Sequence, residues 1–348
     1  MGLVGLNTGM KREIGSMLLA GLVLIASSAA CGSHVQSAQH LTPVPSAVPA
    51  QPPATPPAPT ATQSSTPSPP GLATPAASPT ATPSVAIDCA PAPPDQFETC
   101  RATEPGGFAM IFYLFLPRGY NPRISYPLVL LLSGGGQRAD SDKSAKQNRT
   151  AMLSDPYAAI WGPGVTTPDS TDVQGNWPSF VVIPQVVKPN RFVDQLPGAG
   201  SYHLAPEPND ALRMSKEIVD SLQLLYTNID PKRRYVTGLS MGGYGTWEAI
   251  ERWPDYFAAA APIAGAGDPS KAADLVNLPI WAFHGSADST VPVSGSRDMI
   301  AAIEAAGGHP RYTEYPGEEH GVWVNPYTLL GHPSPTPDFF AWLFAQHK

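Results

Sequence analysis

Tyr235-Val236-Thr237-Gly238-Leu239-Ser240-Met241-Gly242-Gly243-Tyr244-Gly245 is a Gly-x-Ser-x-Gly segment set between a β-favouring run and a helix-favouring one. Arg234 to Thr237 carries Tyr, Val and Thr and reads as a strand. Tyr244 to Trp253 reads as a helix that Pro254 stops. A serine hydroxyl is a weak nucleophile at neutral pH. It needs exposure, a neighbouring base and donors for a developing oxyanion. A sharp strand-to-helix turn supplies the exposure, and it fits only if small residues flank the serine at two places removed. Gly238 and Gly242 occupy those places. By itself the segment is also compatible with an ordinary Gly-rich turn, so its neighbours downstream decide the reading.

Leu278 to Phe283 is an apolar strand that runs into His284-Gly285-Ser286-Ala287-Asp288. Pro292 follows near the start of a helical stretch from about Val293 to Ala306. Tyr312 to Tyr315 reads as another strand, followed by Pro316-Gly317-Glu318-Glu319-His320-Gly321. Asp288 and His320 are thus each expected just beyond the C-terminal end of a strand. The chain order Ser240, Asp288, His320 is that of α/β-hydrolases and differs from the two best-known protease orders. The rivals fit less well. Asp268 and Asp274 follow their strand too early, and Asp298 falls inside a helix. His284 closes a buried strand and reads as a structural histidine near the site. His309 precedes Pro310 at a turn, and His332 lies in a Pro-rich loop.

The residues Gly238 to Gly243, Phe283 to Asp288 and His320 to Trp323 together resemble secreted serine esterases of the α/β-hydrolase superfamily. The branch they resemble is the phospholipase/carboxylesterase-like one, near feruloyl-esterase and polyhydroxyalkanoate-depolymerase-like enzymes. Features are shared with the catalytic domains of prolyl oligopeptidases. The resemblance covers roughly Phe108 to Lys348. It implies Ser240 as nucleophile, His320 as general base and Asp288 as the residue that orients it, with no cofactor and no metal.

The oxyanion donors follow from the same reading. Met241 supplies a backbone N–H directly after the nucleophile. The second donor is expected from Ser133-Gly134-Gly135-Gly136-Gln137-Arg138, after the continuous apolar run Tyr126 to Leu132 that suits a strand covered on both faces. Gly135 is the choice and Gly136 the alternative. The resembled family usually has a histidine where this chain has Ser133, which leaves the support of that loop open.

The remaining elements alternate. Phe108 to Leu116, Pro127 to Leu132, Ser179 to Pro184 and Ala258 to Ile263 read as strands. Asp210 to Tyr226 has apolar residues at helical spacing behind Asn209 as N-cap, and Phe339 to Gln346 is a closing helix. Alternation of this kind implies an α/β fold with a mostly parallel sheet and helices on both faces. Residues 88–348 are read as the one catalytic domain. Two irregular aromatic stretches, Ala158 to Asn176 and Val187 to His203, either shape a substrate pocket or merely pack. Trp161 and Trp323 are the pocket candidates, and Trp323 could instead steady His320.

Residues 1–31 have the layout of a signal peptide. Lys11 and Arg12 precede an apolar run from Met17 to Ala26, and Ser27-Ser28-Ala29-Ala30-Cys31 follows, with Met10 as an alternative start. Cys31 is a candidate lipidation site, which makes the chain a surface lipoprotein; cleavage after Ala30 would instead release it. Residues 32–87 form a Pro/Thr/Ser-rich linker, with no Asp, Glu, Lys or Arg between Val35 and Ile87. Such a stretch has too few large apolar groups to offset the entropy of ordering and stays extended and disordered. Cys89 and Cys100 remain as a candidate disulfide in an exported chain. The net charge of −7, without a basic cluster, argues against nucleic-acid binding. Three function classes survive: a surface-tethered serine esterase acting on an ester, polymeric esters included, a serine peptidase of the prolyl-oligopeptidase type, and a non-catalytic binding module on a hydrolase fold.

Overall fold

The computed structural model describes residues 83–348 except 155, 165–171, 197 and 328–335. The leader, Cys31, the linker up to residue 82 and His332 lie outside the described residues.

The strands are β1 (Ala86–Ala90), β2 (Glu98–Thr103), β3 (Ala109–Phe115), β4 (Tyr126–Leu132), β5 (Phe180–Gln185), β6 (Ile229–Leu239), β7 (Ala259–Ile263), β8 (Trp281–Gly285) and β9 (Arg311–Tyr315). They form a single sheet in the order β1-β2-β3-β5-β4-β6-β7-β8-β9. The pairs from β5 through β9 run parallel, and those joining β1, β2, β3 and β5 run antiparallel. The helices are α1 (Ala145–Leu153), α2 (Pro156–Trp161), α3 (Val173–Asn176), α4 (Asp210–Leu225), α5 (Met241–Arg252), α6 (Ser294–Ala305), α7 (Val324–Tyr327) and α8 (Phe339–Ala345).

Central strand β4 shows why this sequence makes a covered sheet. All seven of its residues are buried. Leu128, Leu130 and Leu132 enter one core with Ile218 and Leu222 of α4 and Trp247 and Ile250 of α5. Val129 and Leu131 point the other way, into a second core with Trp161 of α2 and Phe339 and Leu343 of α8. A strand of period two buried on both faces must be apolar throughout, as Tyr126 to Leu132 is. Helix α4 begins where Asn209 Oδ1 accepts the Leu212 N–H at 3.0 Å, so the expected cap is in place.

Three boundaries differ from the sequence reading. Strand β6 starts at Ile229, five residues before Arg234, despite Pro231. Its partner register jumps from Tyr126 opposite Ile229 to Leu128 opposite Arg234. The irregularity lets Pro231, which has no N–H, sit in the strand without breaking a ladder bond. Hairpin β1–β2 is an addition. It places Cys89 directly opposite Cys100, and the two are joined by a disulfide. The folded segment also begins before residue 88, since Val85 is buried and its N–H donates to Ser221 Oγ at 3.4 Å. Short helices, α1, α2 and α3, precede and enter the stretch Ala158 to Asn176 that reads as irregular. The first, α1, is stabilised by a capping box between Ser144 and Gln147.

Candidate active site

The turn between β6 and α5 places Ser240. Its backbone sits at φ +54° and ψ −116°, a strained conformation for a residue with a Cβ. The surroundings hold it there. Ser240 N–H donates to Ile263 O of β7 at 2.9 Å, and Tyr244 N–H closes the first helical turn on Ser240 O at 3.1 Å. The flanking glycines are required by contact. A Cβ on Gly238 would lie 2.5 Å from Gly242 O and 2.6 Å from Leu132 O; one on Gly242 would lie 1.9 Å from Leu132 O. Helix α5 starts at Met241 and not at Tyr244, because the bare glycines let its first turn run against the end of β4.

Asp288 and His320 come from the loops after β8 and β9. His320 Nε2 lies 2.8 Å from Ser240 Oγ, and His320 Nδ1 lies 2.7 Å from Asp288 Oδ2. The other carboxylate oxygen of Asp288 accepts the N–H groups of Thr290 at 2.9 Å and Val291 at 2.8 Å. Burial pushes this carboxyl up, but hydrogen bonds from His284, His320 and those two amides outweigh burial and hold it well below the usual carboxylate range. The two loops are laced together. Ala287 N–H donates to Glu318 O, Ser286 N–H to Tyr315 O, and Ser289 N–H and Oγ to Glu319 Oε2. A Cβ on Gly285 would meet Glu318 O at 2.3 Å, so glycine there lets the histidine loop approach. The rivals lie elsewhere. Asp268 bonds His203, Leu204 N–H and Ser270, and Asp298 accepts from Ser201.

Gly135 opens a 3₁₀ turn, Gly135–Gln137, directly after β4, and Met241 is the first residue of α5. Both N–H groups stand at the open N-terminal ends of helical turns, where a turn has no carbonyl of its own to offer them. Strands β4 and β6 pair with Leu132 opposite Gly238, so the two ends lie side by side. Support for the Gly135 turn comes from Arg138 and Gln185. Arg138 Nε donates to Gly135 O at 3.0 Å while its Nη1 holds the carbonyls of Pro189 and Asn190, and Gln185 Nε2 donates to Gln137 O at 2.9 Å. Ser133, standing where the resembled family has histidine, contributes no hydrogen bond from its buried hydroxyl.

A solved thermostable esterase superposes with a TM-score of 0.60 at 33% identity, over 73% of this chain and 64% of that one. The chain has the α/β-hydrolase fold. The model of the Dienelactone hydrolase family matches residues 201–327 of this chain, a stretch that contains Ser240, Asp288 and His320. Poly(3-hydroxyalkanoate) depolymerase C of Paucimonas lemoignei is 34% identical over 123 residues, which are 34% of this chain and 27% of that protein. A bifunctional acetylxylan esterase/xylanase of Neocallimastix patriciarum is 25% identical over 179 residues, 51% of this chain and 21% of that protein. The chain therefore spans well under half the length of these curated relatives.

The aromatic residues around the site divide. Trp323 stands edge-on to His320, ring centroids 5.2 Å apart, and its Nε1 donates to Tyr157 Oη. Trp161, the other pocket candidate, is a correction. It is fully buried and packs on Tyr327, Phe339 and Phe340 with centroids 5.6, 6.3 and 5.0 Å away. It ends α2 on the face turned to α8, so among the described residues it belongs to the core. Tyr157, one helical turn earlier, faces the site instead. The sequence carried no signal for it beyond the i, i+4 spacing to Trp161.

Proposed function

We propose that the hydrolase cleaves carboxylic esters through an acyl-enzyme on Ser240. The observation that carries this reading is the placement of His320 within hydrogen-bond reach of both Ser240 Oγ and Asp288 Oδ2. In this scheme Ser240 Oγ attacks the ester carbonyl carbon as its proton passes to His320 Nε2. The tetrahedral oxyanion is met by the N–H groups of Met241 and Gly135. Collapse breaks the bond to the alcohol oxygen, which leaves with the proton from His320. Water then attacks the acyl carbon, gives its proton to His320, and releases the carboxylic acid as Ser240 Oγ recovers the proton. Asp288 stays ionised throughout, keeps the Nδ1–H tautomer and stabilises the imidazolium.

The location follows from the leader and linker. The hydrolase is exported, anchored by lipid on Cys31, and held off the surface by the Pro-rich linker, an arrangement suited to a polymeric ester. The acetylxylan esterase/xylanase described above carries a name that refers to an acetylated polymer, which supports this choice of substrate. Mass spectrometry of the mature N-terminus reads the anchor, and an unmodified Cys31 overturns it.

For the chemistry, a fluorophosphonate probe and p-nitrophenyl acetate are given to the parent and to Ser240→Ala. The parent is expected to label and turn over; the variant is expected to do neither. Equal labelling of Ser240→Ala would remove the assignment.

A further inference from the structure

Beside the nucleophile lies a small pocket whose position sets the acyl group apart from the alcohol. Its floor is Leu131 of β4, Ile183 of β5 and Leu239 of β6; its far wall is Met152, Tyr157 and Ala158 from α1 and α2. Two of its borders belong to the site. Leu239 immediately precedes Ser240, and Gly134, also at its rim, immediately precedes the Gly135 turn. The wall opposite is tied to the base, since Tyr157 accepts from Trp323, which stands against His320. The pocket offers about 20 Å³, and a site holding one water needs roughly 10–15 Å³. That is room for a methyl group or little more.

The bonds of the tetrahedral intermediate allot the directions. One substituent is the oxyanion, turned to the N–H groups of Gly135 and Met241. A second is the leaving oxygen, which has to reach His320 Nε2 to collect its proton. The third bond is the new one to Ser240 Oγ and the fourth is to the acyl chain, and the apolar space between Leu239, Gly134 and Tyr157 is the one bordered by all three parts of the machinery. We infer that this pocket takes the acyl chain and limits it to acetyl or at most propionyl size, so that the substrates are acetate esters of larger alcohols. The inference rests on Ser240 being the nucleophile. A butyryl chain held wholly inside the pocket would press on Met152 or Ile183, which are 2% and 1% exposed and packed into the core behind them. Aromatic acyl groups and long hydroxyacyl chains would meet the same walls.

The test is kcat/KM of the full chain on p-nitrophenyl acetate, butyrate and octanoate, which share one alcohol. Acetate is expected to be best. Butyrate is expected to fall by about tenfold or more, since a single misfitted methylene already discriminates by about that factor. Met152→Ala is expected to raise the butyrate-to-acetate ratio about tenfold. Ile183→Val, a gentler change that keeps the strand packed, shifts it in the same direction by a smaller factor. Octanoate hydrolysed as well as acetate, an unchanged ratio in both variants, or labelling of Ser240 without acetate hydrolysis each overturns the acyl assignment. Absence of both fluorophosphonate labelling and hydrolysis of every ester instead removes the esterase reading itself.

Discussion

His284 Nε2 and Asp288 Oδ2 lie 3.3 Å apart with both side chains fully buried, and the same oxygen faces His320 Nδ1 at 2.7 Å. His284 Nε2 is also 3.1 Å from Val291 O, and its Nδ1 is 2.7 Å from Ser296 Oγ. Carboxylate and carbonyl both accept, so the tautomer that satisfies the ring carries its proton on Nε2 and takes the Ser296 hydroxyl proton at Nδ1. Asp288 is thereby held by four donors, two imidazoles and two amides. His284 is a positioning residue, acting on His320 through the carboxylate.

Replacing it tests that role. His284→Phe keeps a planar ring but removes the donor to Asp288. A hydrogen bond to a charged group contributes about 1.5–3 kcal/mol, so kcat is expected to fall about tenfold to a hundredfold while KM changes little. His284→Gln, whose amide can reach toward Asp288, is expected to recover part of the loss. Reduced thermal stability with parental kcat in both variants would make His284 a packing residue only.

The elbow predicts a contrast between two glycines. Gly242→Ala puts a methyl 1.9 Å from Leu132 O and 2.4 Å from Leu132 C, both backbone atoms of the central strand. Relief requires α5 to part from β4, and the expected cost is at or beyond the upper end of about 1–3 kcal/mol for overpacking. Gly106→Ala meets nothing within 4 Å and serves as the control. Denaturant midpoints for the two variants measure the difference, with fluorophosphonate labelling of Ser240 expected to fail only for Gly242→Ala.

Glu251 predicts how stability varies with pH. It lies on α5, 4% exposed, with Oε1 accepting the Asp268 N–H at 2.8 Å and Oε2 without a partner. Burial first, and then the charges of Glu248 and Asp268, push its carboxyl well above the ordinary value. The folded chain therefore keeps this proton at a pH where the unfolded chain has lost it. Stability from this group is full below the unfolded value of about 4.3 and falls as pH rises toward the raised folded value. Glu251→Gln keeps the Oε1 acceptor and removes the titration. Melting temperatures between pH 5 and 8 should fall more steeply for the parent than for the variant, and parallel curves would refute the argument.

Much of this site could be read along the chain because each proposed catalytic residue stands in the turn or loop after the C-terminal end of a strand. A strand-like run followed by a turn or loop marks Ser240, Asp288 and His320 one by one, and the sheet brings the C-terminal ends of those strands to one edge. The parts that stayed hidden depend on contacts between distant segments. Trp161 and Tyr157 lie at i, i+4 on one face of a six-residue helix and both pack on Tyr327, and only the distant segments they meet decide which end of that face reaches the core and which the site. The second imidazole on Asp288 depends on how the 288–291 loop folds back over β8. Pro231 concealed the first half of β6, and Pro91, Pro93 and Pro94 concealed hairpin β1–β2 by imitating the linker before it.

That hairpin fixes where the chain can be shortened. Val85 is 1% exposed, and Ala86 and Ile87 pair with Thr103 and Ala102. A chain beginning at Pro83 is expected to keep the parental melting temperature and kcat/KM on soluble esters. One beginning at Asp88 loses a buried valine, an effect of about 1.5–3 kcal/mol before the lost strand pairing is added. Closing the short loop between Cys89 and Cys100 contributes about 3 kcal/mol by the loop-entropy relation, so reduction should lower stability by a similar amount. Strand β1 is at one edge of the sheet, while β8 and β9, whose following loops carry Asp288 and His320, lie toward the other. Activity measured well below the melting temperature should therefore survive both reduction and the longer truncation. Loss of ester hydrolysis in a chain from Pro83 that remains folded by circular dichroism would show that residues before it contribute to catalysis.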